Sequence, residues 1–139
     1  MDARSIIWPA ATMVVLTFVV WVRMYVVRIG EMRRERIDPQ RVATSVQAAA
    51  LLRDTRASDN FRNLFELPVL FYLAIAVMLH SATITPALLA LSWIFVALRI
   101  VHSAIHCSYN RVMHRFSAYM TGAIVLWALW AVLIPRMLR

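Results

Sequence analysis

The sequence predicts an all-α fold, a bundle of four membrane-spanning helices. Two observations carry that prediction. Hydrophobic residues make up 62% of the 139-residue chain and charged residues only 16%, against about 45–50% and about 25% in a soluble domain. The apolar residues also gather into windows long enough to cross a hydrocarbon layer about 30 Å thick, which takes about 20 helical residues. Two glycines and five prolines exclude a disordered tail, a collagen-like chain and an all-β domain built on tight turns. The chain reads as one integral membrane domain over 1–139, with spans over about 6–27, 60–80, 84–107 and 117–135.

The first span, Ile6 to Val27, is interrupted only by Arg23. Its apolar run exceeds the about 7–15 residues of a signal peptide, and no small-residue cleavage site follows it, so it is expected to stay in the mature protein. The second span is apolar from Leu64 to His80, and its helical pattern starts earlier, near Arg56. The third has Thr85 as a plausible N-cap and Pro86 in the favoured first turn. The fourth starts near Ser117 and is expected to stop at Pro135. In the long connection between the first two spans, Gly30 and Asp38-Pro39 mark breaks. Val42 to Leu52 reads as an alanine-rich helix leading directly into the second span.

Fifteen basic residues, all arginine, outweigh seven acidic ones, for a net charge of +8. In a soluble chain that excess would suggest nucleic acid. Here the arginines flank apolar runs, so they orient the chain in a bilayer and no nucleic-acid partner is expected. The segment from Arg28 to Arg62 carries eight of them, the loop after the third span carries Arg111 and Arg115, and the loop after the second span is uncharged. The positive-inside bias places the arginine-rich loops in the cytoplasm and both termini outside. The single cysteine, Cys107, has no partner for an internal disulfide and supplies no zinc cluster, and no metal is expected.

Ionisable groups at membrane depth are costly and tend to be functional. The candidates are Arg23, Glu66, Arg99, His102 and His106. At about 100° per residue, Arg99, His102, His106 and Tyr109 fall within an arc of about 80° on the third span, and Arg56, Asn60, Asn63 and Glu66 within about 120° on the second. Both stripes lie toward the cytoplasmic mouth, where Glu66 and Arg99 are expected to form an ion pair and Arg33, Arg34 and Arg115 stand above. Arg23 reads either as a functional group or as a side chain snorkelling to the headgroups. His80 reads as solvated, His114 as a loop residue facing solvent, and Trp8, Trp127, Trp130 and Tyr119 as interfacial or packing aromatics. Such a pocket suits a small ligand with carboxylates for the arginines and an ammonium for Glu66. An arginine beside a bound thiol favours the thiolate, and the bilayer can deliver a lipophilic second substrate.

These residues resemble the membrane-associated proteins in eicosanoid and glutathione metabolism, the MAPEG family, along essentially the whole chain. Arg62-Asn63-Leu64-Phe65-Glu66-Leu67-Pro68 is similar to the family's Asn-x-x-Glu followed by proline in span two. Arg99-x-x-His102, with His106 at an aromatic-type position, is similar to its third-span pattern, and Arg115 falls at the spacing of the family's thiolate-stabilising arginine. Arg23-Met24-Tyr25-Val26-Val27 with Gly30-Glu31-Met32-Arg33 resembles the end of span one in the prostaglandin E synthase branch. The resemblance, to a bacterial-type member, implies a homotrimer in an inner membrane, with termini periplasmic and glutathione as co-substrate between subunits on the cytoplasmic side. It implies Asn63 and Glu66 on the glutathione backbone, Arg33 and Arg62 on its carboxylates, His102 and His106 lining the site, and Arg115 activating the thiol. Arg56, Arg99 and Tyr109 complete the expected glutathione set. Two positions depart from the family: Asp59 stands where many members carry an arginine, and His106 where several have tyrosine.

The expected function is a glutathione-dependent transferase or peroxidase acting on lipophilic electrophiles or lipid hydroperoxides. The alternative is a non-catalytic scaffold of the same fold that binds lipid or a partner protein, since one fold hosts both. A haem-b bundle is disfavoured, because His102 and His106 share one helix and His80 lies at the opposite leaflet.

Overall fold

The computed structural model describes residues 3–138, and these form helices without a strand among them. After a 3-10 turn at Ala3–Ile6 come α1 (Ile7–Arg34), a second 3-10 turn at Pro39–Val42, α2 (Ser45–Leu51), α3 (Arg56–Asn63), α4 (Leu67–His80), α5 (Pro86–Cys107) and α6 (Val112–Met137). Four helical stretches are long and apolar enough to cross a bilayer: 4–34, 56–80, 86–107 and 112–137. With four such helices the chain is an integral, multi-pass membrane protein.

The helices pack around a core of Met13, Val20, Phe71, Ala74, Met78, Leu88, Phe95, Leu126, Leu129 and Leu133. The rings of Phe71 on α4 and Phe95 on α5 stack with centroids 4.9 Å apart. α5 and α6 pack closely at Gly122, where an added Cβ would stand in ordinary van der Waals contact with Leu98 Cβ at 3.7 Å. The outward faces are apolar, with Val14, Val15, Phe18, Val19, Ile94, Ile124 and Trp127 exposed. Such a surface is stable only against lipid or another apolar surface.

Local chemistry sets the helix ends. Thr85 is the N-cap of α5, its side chain accepting from Leu88 N, with Pro86 in the first turn. Thr44 and Gln47 form a reciprocal capping box on α2. α1 runs for 28 residues, about 42 Å at about 1.5 Å each, so its last turns outreach the hydrocarbon. It closes in a Schellman motif: Ile37 N donates to Met32 O at 2.9 Å, with Arg36 in the left-handed region at φ 51°. α4 closes the same way, with Thr83 N on Met78 O at 3.1 Å and Ala82 at φ 52°.

Three boundaries differ from expectation. The alanine-rich helix does not lead into the second span: α2 ends at Leu51, and Leu52 turns the chain extended. The cause is distant in sequence. The buried Glu31 carboxylate on α1 accepts from Arg53 N at 2.7 Å and Asp54 N at 3.3 Å, drawing those amides out of any helix. The fourth span starts at Val112 rather than near Ser117, so His114 sits in its first turns and not in a loop; it is exposed. Pro135 does not stop α6 but lies inside it, two residues before its end, where little remains of the ladder for its missing N–H to break.

The second span is itself broken. Glu66, at φ −97° and ψ −107°, separates α3 from α4, and Pro68 follows in the first turn of α4. Pro68 has no N–H for the Leu64 carbonyl and its ring crowds that carbonyl, so a straight helix through this point is unfavourable.

Ala82 carries a side chain at a position where L-residues are strained and glycine is not. Ala82→Gly is therefore expected to stabilise the protein by about 0.5–1 kcal/mol, read as a raised thermal midpoint in detergent; a lowered midpoint would contradict the assigned turn.

Candidate functional site

The break between α3 and α4 and the turn from α5 to α6 face each other at the arginine-rich end of the bundle. Between them lies a recess of ≈ 210 Å³ lined by Asn63, Glu66, His102, Val112, Arg115, Phe116 and Tyr119.

Arg115, in the first turns of α6, is held from α5 and the turn. Its Nη1 donates to His106 Nε2 at 2.9 Å and to Asn110 Oδ1 at 2.8 Å. Asn110 adopts φ 49°, a left-handed conformation that asparagine tolerates. Both acceptors are neutral, and Arg115 pairs with no carboxylate among the described residues. A guanidinium only donates, so His106 presents its Nε2 lone pair and keeps its proton on Nδ1. His102 Nδ1 lies 3.1 Å from Arg115 O. A carbonyl only accepts, so that proton is on Nδ1 and His102 Nε2 is a bare acceptor. Nε2 of His102 and Nδ1 of His106 are buried without a partner.

Beneath the recess lies Arg99, fully buried. Its Nη2 donates to Asn63 O at 2.6 Å, and its guanidinium carbon stands 5.4 Å from the Tyr119 ring centroid. Tyr119 OH in turn donates to Glu66 Oε2 at 3.3 Å. The expected Glu66–Arg99 ion pair does not form; Tyr119 engages both groups instead, Arg99 against its ring and Glu66 through its hydroxyl. Tyr119, read from sequence as a packing aromatic, is a site residue. The signal was available: it lies four residues after Arg115, on the same face of α6.

Other arginines are engaged elsewhere. Arg23 reaches across to α5, where its Nη2 donates to Cys107 O at 2.6 Å at the helix C-terminus. Arg56 donates to the next carbonyl, Ser108 O, and pairs with Asp54 at 2.7 Å. Arg62 is exposed, 3.8 Å from Asp59, and both line a second cavity between α1, α2 and α3 rather than the recess. Arg33 lies exposed on a shallow groove of α1 with Trp21, Tyr25 and Ile29. Tyr109 is past the end of α5, exposed, and 3.2 Å from His114 Nδ1, so it leaves the Arg99–His102–His106 stripe. Under the stripe, Ser103 Oγ donates to Asn60 Oδ1 at 3.3 Å and Asn60 Nδ2 to Cys107 Sγ at 3.4 Å, which makes Cys107 a buried packing thiol.

The fold is therefore that of a four-span helical membrane protein with a polar recess at one end. The sequence model of the MAPEG family matches residues 6–134, and the chain belongs to that family, whose members serve glutathione and eicosanoid metabolism. No curated protein and no solved structure matches it significantly.

One electrostatic consequence lies outside the spans. The Arg56 guanidinium hydrogen-bonded to Asp54 holds that carboxyl below its ordinary value of 3.8. A depressed carboxyl stabilises the fold above its unfolded pKa, and the contribution is lost as pH falls through the lower folded value. Thermal midpoints measured downward from about pH 5 are expected to show a small acid-side loss below about pH 4 that Asp54→Asn removes; an unchanged acid limb in that variant would refute the assignment.

Proposed function

We propose that this protein is a glutathione-dependent transferase or peroxidase acting on lipophilic electrophiles or lipid hydroperoxides. The observation that carries the reading is Arg115: a cation held by two neutral acceptors, without a carboxylate, on a recess that also offers Asn63, Glu66, His102 and Tyr119. An uncompensated guanidinium favours an anion beside it, and a thiol bound there ionises more readily. The exposed Glu66 carboxylate gives the recess an accepting side for an ammonium or amide N–H, as a γ-glutamyl tripeptide requires.

In the transferase reaction the thiol S–H ionises beside Arg115 and the proton passes to water at the mouth. The thiolate then forms a C–S bond with the electrophile as the leaving group departs or the activated double bond takes up the electrons. With a hydroperoxide, the thiolate takes the distal oxygen, the O–O bond breaks to an alcohol, and a second thiol reduces the sulfenate to disulfide and water. The protein itself contributes no nucleophile. The apolar outward faces of the helices suit contact with lipid, the natural source of such substrates.

Assembly as a homotrimer, with glutathione between subunits on the cytoplasmic side, accounts for Arg33 and Arg62. Both stand outside the recess of one protomer, and a neighbour could bring them to it. Asp59 supports a second reading, a lipid- or partner-binding scaffold: at 3.8 Å it faces Arg62, one of the arginines the family resemblance assigns to glutathione carboxylates.

Calorimetry on the detergent-purified protein is expected to show saturable glutathione binding at about millimolar concentration or below, weakened in Glu66→Gln. Arg115→Ala is expected to keep binding but lose about 10²-fold or more in conjugation rate. No binding at several millimolar by a folded protein would sink the glutathione reading and leave the scaffold. Full turnover in a folded Arg115→Ala variant would remove Arg115 from the mechanism.

A further inference from the structure

Sequence reasoning groups Arg99 with the residues that bind the ligand, as an intramembrane cation on the polar stripe. Its geometry says otherwise. The side chain is 0% exposed and absent from the lining of the recess. It touches two residues that are in the lining, by different means. It donates to the backbone carbonyl of Asn63, at the break in the second span, and it lies against the ring of Tyr119. The helix break leaves the Asn63 carbonyl without a helical amide, and at membrane depth water does not replace that donor. The Tyr119 hydroxyl then fixes Glu66, on the far side of the same break. Nε and Nη1 of Arg99 are unpaired but have no exposed surface, so a ligand anion in the recess reaches the guanidinium only if the packing around it moves.

We propose that Arg99 is a positioning residue: it clamps the broken second span to α5 and backs the Tyr119 ring, so that Asn63, Glu66 and Tyr119 keep their places around the recess, and it makes no contact with the ligand. Arginine suits the task because its planar fork donates in one direction while its face stacks in another. Lysine, a point charge with tetrahedral donors, does not do both. The inference rests on the glutathione reading only for the binding part of its test.

The experiment uses the full chain in detergent with 3-fluorotyrosine at its four tyrosines, the Tyr119 fluorine signal being assigned by its loss in Tyr119→Phe. Without ligand, Arg99→Lys is expected to move or broaden the Tyr119 signal. With glutathione, Arg99→Lys is expected to lower affinity about tenfold. A Tyr119 signal that stays in place overturns the proposal. So does unchanged glutathione affinity in a folded Arg99→Lys variant whose Tyr119 signal has moved, since the recess lining would then not depend on the clamp. Arg99→Met is expected to have the larger effect; should it fail to fold, Arg99→Lys, which keeps the charge, decides alone. If the unmodified protein binds no glutathione, the glutathione reading fails separately, and the ligand-free fluorine spectra still decide whether Arg99 holds Tyr119.

Discussion

A backbone carbonyl left without an amide inside a bilayer costs several kcal/mol unless a side chain replaces the donor. In this protein arginine does so repeatedly. Arg99 serves Asn63 O at the break in the second span, Arg23 serves Cys107 O and Arg56 serves Ser108 O at the end of α5, and Arg28 serves Val42 O at the end of the second 3-10 turn, at 3.0 Å. Arg99, Arg23 and Arg56 also place a cation at the negative, C-terminal end of an α-helix. Two of these capped irregularities, the α3–α4 break and the α5–α6 turn, bound the recess. The site exists where it does because those are the points at which the bundle can leave regular helix at tolerable cost.

The local parts of this architecture were legible in the sequence. Span length, the Thr85-Pro86 start of α5 and the 100° spacing of Arg99, His102 and His106 depend only on near neighbours. What was not legible depends on groups far apart in the chain. Glu31 ends the α2 segment by taking two amides more than twenty residues away, and no periodicity in 42–56 shows that. The early start of α6 was hidden for another reason: Val112 to Phe116 includes His114 and Arg115, and a solvated helix end need not be apolar. The Glu66–Arg99 pair was inferred from two helices, but a third supplies Tyr119, which engages both groups.

The distribution of charge then sorts the arginines by role. Arg23 and Arg28 cap carbonyls, Arg56 caps one and neutralises Asp54, and Arg62 faces Asp59. Arg99 caps a carbonyl and lies on an aromatic ring, deep below the surface that a ligand meets. Arg115 is the one on the recess lining whose partners are both uncharged side chains, so its positive field is left for whatever enters. An intramembrane arginine is thus no guide to ligand contact by itself; whether it lies on the recess lining decides.

Asn110 shows how closely the fold and this electrostatic arrangement are joined. The turn that reverses the chain from α5 to α6 needs a residue at φ 49°. Glycine, asparagine and aspartate are the types that tolerate it best. Glycine would satisfy the turn but leave Arg115 Nη1 with His106 alone. Aspartate would satisfy the turn and hold Arg115 more firmly, but as a carboxylate it would cancel the guanidinium's charge. Asparagine alone of the three meets the backbone requirement, supplies a directed acceptor at 2.8 Å and leaves the guanidinium uncompensated. The residue that lets the last span fold back is also the one that keeps Arg115 both fixed and free to act on an anion.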